Sequence, residues 1–206
     1  MLNIFQMSIL ILFHPKDTLD IIKRERYKFR FSIVLWLMLA MAIVNYTYTF
    51  YVNYIFASKT IEQASILLDL AIAFLPIITW VVSAYAVTAI LVGECSFTEL
   101  FTASCYCLVP IIVLKRILGL LSIVLTNDEA GIFSGLTFIM YAWTVILLFL
   151  ALQRLNDYSI MKTICVVVIS ILAMLIIWGV ILLMFTLFAQ VVEFVQNIIK
   201  EIQLKY

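Results

Sequence analysis

Apolar residues gather along this chain in runs of helical length. Four stretches, Phe31 to Tyr51, Ala71 to Val92, Ile132 to Leu152 and Thr163 to Leu187, each supply the roughly 20 residues a helix needs to cross about 30 Å of hydrocarbon. A fifth, Glu99 to Thr126, is as long but carries Lys115 and Arg116. Inside a bilayer every backbone N–H and C=O must bond within its own segment, so runs of this kind predict spanning helices. The expected fold is all-α: a polytopic membrane bundle of five transmembrane helices, with amphipathic flanking helices at both ends.

Local punctuation supports these edges. Thr60-x-x-Gln63 and Ser96-x-x-Glu99 fit the capping box, in which a hydroxyl and a carboxylate or amide satisfy orphan N–H groups. Gly93 stands just past the second run, where a C-cap glycine is expected. Asn127, Asp128 and Gly131 mark one turn and Asn156, Asp157 and Ser159 another, so the later spans are antiparallel neighbours.

The flanks read differently. Met1 to Phe13 is too short to span, and Pro15 to Lys28 mixes charge with Leu19 and Ile22, which predicts a segment lying on the inner leaflet. At the other end Val191, Phe194, Val195, Ile198 and Ile202 recur at helical spacing, which predicts an amphipathic helix along the outer interface. Three regions follow: an interfacial segment over 1–30, the spanning domain over 31–187, and an interfacial helix over 188–206.

Composition agrees with a membrane solvent. Of 206 residues, 66% are hydrophobic and 12% charged, against about 25% charge in soluble domains. The net charge of +1 offers no basic excess for nucleic acid. The first residues lack both a basic start and a small-residue cleavage site, so they are expected to remain in the mature protein.

Charge placement predicts orientation. Lys16, Lys23, Arg24, Arg26, Lys28 and Arg30 precede the first span, and Arg154 and Lys162 fall on the same side. Lys59, Lys200 and Lys205 lie opposite, so even with Lys115 and Arg116 added there the positive-inside rule puts the N-terminus in the cytoplasm and the C-terminus outside. Tyr46, Tyr48, Tyr51 and Tyr54 then form an outer aromatic belt. Lys23, Arg24, Arg26, Lys28 and Arg30 are candidate contacts for lipid headgroups.

Lys115 and Arg116 are the residues most at odds with their surroundings, since each costs about 2.5–3.5 kcal/mol at the centre of a lipid-exposed helix. Two arrangements avoid that cost: facing the bundle interior, or snorkelling to the outer interface. Pro110, five residues earlier, removes a backbone donor and predicts a kink or break between Val109 and Arg116. Asp69, just before the second span, is a candidate partner for either cation, and Glu94 is a loop carboxylate expected to be solvated.

Reactive constellations are missing from the pattern. The chain has no G-x-S-x-G, no H-E-x-x-H, no phosphate-cradling glycine loop and only His14 as a histidine. Cys95, Cys105, Cys107 and Cys165 sit in or beside apolar runs, and Cys105 and Cys107 point to different faces of a helix, which disfavours a thiolate metal site. No catalytic residue, cofactor or metal is expected.

The segment Gly93-Glu94-Cys95-Ser96-Phe97-Thr98-Glu99-Leu100-Phe101-Thr102-Ala103-Ser104-Cys105-Tyr106-Cys107-Leu108-Val109-Pro110 resembles the central signature of the Yip (Ypt-interacting protein) domain family. Phe13-His14-Pro15-Lys16-Asp17-Thr18-Leu19-Asp20-Ile21-Ile22-Lys23 is similar to the segment before the first span of compact bacterial members. The resemblance implies a five-span protein of the bacterial plasma membrane. Eukaryotic members organise trafficking machinery, and some bacterial members accompany sugar-import systems. The expectation is thus a non-enzymatic accessory or scaffold protein whose partners are membrane lipids and another integral membrane protein, with a homo-oligomer open. Two alternatives stand beside it: a trafficking adaptor, and a small transporter or channel with a polar path at Pro110, Lys115 and Arg116.

Overall fold

The computed structural model describes residues 4–24, 31–56 and 65–205. Within them the chain is helical, without strands. Two short helices, α1 (Ile4–Phe13) and α2 (Pro15–Arg24), lead into α3 (Phe31–Tyr51), α4 (Ile66–Ile90), α5 (Phe97–Tyr106), α6 (Val109–Val124), α7 (Ala130–Leu155) and α8 (Ile160–Lys205). Five stretches are long and apolar enough to cross a membrane, with α5 and α6 together forming the third.

The bundle packs α3 against α4 and α6, α6 against α7, and α8 chiefly along α4. One apolar core runs through it, including Val34, Val81, Leu100, Met140, Leu147 and Leu152. Outer faces carry Trp36, Phe138, Ile169 and Leu172, as expected where hydrocarbon replaces water. α4 and α7 end, and α5 and α8 begin, on one face of the bundle, here the Lys23 face. α3 and α6 end on the other, the Tyr51 face.

The third span is broken, though not where proline alone predicts. The break falls at Cys107 and Leu108, ahead of Pro110, which sits in the first turn of α6. A proline is tolerated there because that N–H has no helical partner, whereas continuing α5 through it would drive the ring into the Tyr106 carbonyl. The Leu108 N–H bonds instead to the Cys105 carbonyl at 3.2 Å. The capping box at its start forms as expected: Ser96 Oγ accepts from Glu99 N at 3.4 Å and Glu99 Oε2 accepts from Ser96 N at 2.9 Å. Thr60 and Gln63 lie outside the described residues.

The flanks also differ. α2 does not present its apolar side to a leaflet: Thr18, Leu19 and Ile22 are buried against α5 and α7, and Ile11 of α1 is fully buried too. A closing bundle offers Leu19 drier surroundings than a headgroup layer does. At the C-terminus no separate helix begins at 188. α8 runs unbroken for 46 residues, because nothing from Gly179 onward is a helix breaker. The apolar spacing near Val191 therefore belongs to a continuation of the fifth span.

Candidate functional site

Two polar clusters lie at different depths. The first is on the Lys23 face, where the ends of α4 and α7 meet. Both helices close with a residue in the left-handed region, Val92 (φ 55°) and Asp157 (φ 50°), followed by a bond back five residues: Gly93 N to Thr88 O at 2.7 Å and Tyr158 N to Gln153 O at 3.1 Å. The left-handed position after α4 is thus Val92 rather than the expected Gly93. Gly93 is required for space instead. A Cβ there would overlap Asn156 Oδ1 and lie 2.8 Å from the Tyr158 hydroxyl and 3.1 Å from Thr88 Cβ.

Asn156 stitches this junction together. Its Oδ1 accepts from Cys95 N at 3.3 Å, and its Nδ2 donates to Leu152 O at 3.1 Å. Lys23 reaches over from α2 to pair with Asp157, with Glu94 Oε2 at 3.7 Å. Glu94 remains largely exposed, as a solvated loop carboxylate would, and forms the outer member of this ion cluster, while Lys23 is turned toward protein. Lys162 crosses the Tyr158 ring 3.9 Å from its centroid. Burial pushes the Cys95 thiol up from its ordinary range, and burial with Cys95 nearby does the same to the Tyr158 phenol. Arg24 is exposed on α2; Arg26, Lys28 and Arg30 lie outside the described residues.

The second cluster is central. Lys115 and Arg116 part company: Arg116 is exposed, whereas Lys115 turns inward and donates to Asn45 Oδ1 at 2.6 Å, its Nζ 4.9 Å from the Tyr48 ring centroid. Asn45 is buried, so the cation has its partner in a dry setting where such bonds are strong. Arg116 is one turn before Gly119, against which the Tyr51 ring packs at the end of α3, so a stretched guanidinium lies near that face. Tyr48 and Tyr51 thus pack into the bundle, while Tyr54 is exposed.

Beside Lys115 opens a cavity of about 350 Å³, lined mostly by apolar residues of α3, α4, α6, α7 and α8, with Asn45, Lys115 and Tyr141 as its polar groups. A smaller one of about 230 Å³ shares Lys115 and Tyr141 and adds Tyr48 and Thr137. The break in the third span and the proline inside α4 both lie at the larger cavity. Pro76 inside α4 lines it, and so do Leu108 and Ile111, which bracket Pro110 at the start of α6. Asp69 is buried one turn before Ala73 on this face of α4. Trp178 of α8 donates to Thr79 Oγ1, one turn after Pro76 of α4, at 3.2 Å.

Sequence reasoning found Lys115 but missed Asn45, Asn156 and Asp157 as partners. Asn45 left one trace, a lone amide in an apolar run, whose natural reading is a partner inside the bundle.

These features define a multi-pass helical membrane protein with polar groups gathered at one face and at its centre. A family model for the Yip1 domain matches residues 9–191, and the chain belongs to that family. Searches of curated proteins and of solved structures gave no match.

Proposed function

We propose that this chain is a non-enzymatic accessory or scaffold protein of the membrane, acting through contact with another integral membrane protein. The observation that carries the reading is α8. Its 46 residues extend about 69 Å, more than twice the hydrocarbon thickness, while α4 and α7 have 25 and 26. From Val180 to Asn197 every residue is exposed, and most are apolar. A helix that outruns its own bundle offers a long face for a partner helix. On the positive-inside count the N-terminus is cytoplasmic, and the basic segment around Arg26, Lys28 and Arg30 meets anionic lipid. Family membership is consistent with both an accessory role beside a sugar-import permease in a bacterial plasma membrane and a trafficking adaptor; the partner's identity separates them.

The test is crosslinking in native membranes from photoreactive residues at Phe188 and Phe194, with mild solubilisation and identification of whatever stands in stoichiometric amount. A permease subunit or a GTPase is expected. A lone monomer under both treatments removes the reading.

A second reading rests on the central cavity: a small transporter or channel whose path passes Pro110, Lys115 and Asp69. It draws on the broken third span meeting Pro76 of α4 at one polar spot, since discontinuous helices line the substrate sites of transporters at mid-bilayer. Flux in proteoliposomes that is lost in Lys115→Met supports it, and flux indifferent to that change excludes Lys115 from the path.

A further inference from the structure

The geometry points to a binding site for one anionic phospholipid in the cleft between α7 and α8 on the Lys23 face. An open groove of about 630 Å³ lies there. Its rim carries Lys16, from the first turn of α2, and Arg154, from the last turn of α7. Its wall is apolar: Ile146, Phe149 and Leu150 descend along α7 away from Arg154, roughly 12 Å from Arg154 to Ile146 at 1.5 Å per residue. Cations at the end of the spans with hydrocarbon below them match a phosphate head and the upper part of its acyl chain.

Charge bookkeeping favours the anion. Asp157 also borders the groove, but its carboxylate is paired with Lys23. Among the described residues neither Lys16 nor Arg154 makes an ion pair, so two positive charges face the groove without a counter-charge. Ile160, the first residue of α8, completes the rim. The latch at Lys23 thus has a second consequence: it keeps Asp157 from repelling the headgroup. The site is separate from the Lys115 cavity and independent of the accessory reading.

The test is native mass spectrometry of the full chain released from nanodiscs of phosphatidylcholine with phosphatidylglycerol, counting lipid adducts and titrating them. One phosphatidylglycerol is expected to stay bound at least about tenfold more tightly than phosphatidylcholine, as two surface cations permit. The double variant Lys16→Gln with Arg154→Gln is expected to lose that preference, while Arg116→Gln, which removes a cation exposed near the opposite face of the bundle, keeps it. Excess inorganic phosphate is expected to leave the lipid bound because of the apolar wall. Equal retention of both lipids, loss in Arg116→Gln as large as in the double variant, or displacement by inorganic phosphate each overturns the proposal. Unchanged melting of the double variant establishes that a lost preference is not misfolding.

Discussion

The junction at Gly93 and the cavity at Lys115 are built on opposite terms. At Gly93 two helix ends approach so closely that there is no room for a methyl group, and the amide of Asn156 is bonded on both sides. At Lys115 two cavities adjoin an ammonium group that donates to the Asn45 amide beside the Tyr48 ring. The first is a close-packed weld in which Asn156 is satisfied on both sides and the Tyr158 hydroxyl is enclosed without a hydrogen-bond partner among the described residues. The second leaves space around a charge. The contrast teaches that polarity in this bundle has two uses, and that packing tells them apart where charge does not.

The sharpest way to break the comparison is Gly93→Ala. The new Cβ must displace Asn156 or Tyr158, and moving Asn156 strands the Cys95 N–H, so a loss of about 2–4 kcal/mol is expected in detergent unfolding. Gly119→Ala is the comparison: its Cβ would run into Cε2 and Cδ2 of the Tyr51 ring, and because turning that ring strands no backbone N–H the loss should be smaller. A loss at Gly119 equal to that at Gly93 ends the idea of a unique weld.

At the roomy site substitutions should be milder. Lys115→Met is expected to cost no more than about 1 kcal/mol, because the thioether fills space while Asn45 is left without its donor. Pairing it with Asn45→Leu should recover that loss. A cost above about 3 kcal/mol for the single change would mean that Lys115 is as structural as Gly93.

Val92 gives an effect of opposite sign. A β-branched residue in the left-handed region stores about 1–2 kcal/mol, so Val92→Gly should stabilise by about 0.5–1 kcal/mol after its extra unfolded-state entropy is counted. Destabilisation would show that the α4 ending needs the valine side chain. The smallest effect concerns pH. The folded state keeps the Cys95 proton where an unfolded chain, with the thiol at about 9.0, would release it. Stability from this group is therefore constant below that pH and declines as pH rises through it. Alkylation of Cys95 at pH 8 should be slower than that of a free thiol, since the thiolate is the nucleophile. Alkylation at the free-thiol rate would show the junction to be open.

The sequence made the spans legible because length and hydropathy are sums over neighbours. α3 occupies Phe31–Tyr51 as read, and the capping box of Ser96 and Glu99 stands as its spacing requires. What escaped depends on which faces meet. Asp157 is 134 positions from Lys23, and Lys115 is 70 from Asn45; no local pattern joins them. α2 read as a surface helix because its amphipathic pattern is the same whether the apolar side meets lipid or α7. Val92 escaped because nothing in a single chain marks a strained valine, and Gly93 beside it supplied a ready but mistaken reason.

The unbroken run of α8 also has a mechanical meaning. Its first half is clamped along α4 and the second half extends past the clamp, which makes the helix a rod held at one end. A rotation of about 10° at the clamp moves the tip of a free half of about 33 Å by roughly 6 Å. Small repacking around Trp178 and Thr79, where the rod is pinned to α4 one turn after Pro76, would therefore be magnified into a displacement large enough for a distant neighbour to feel.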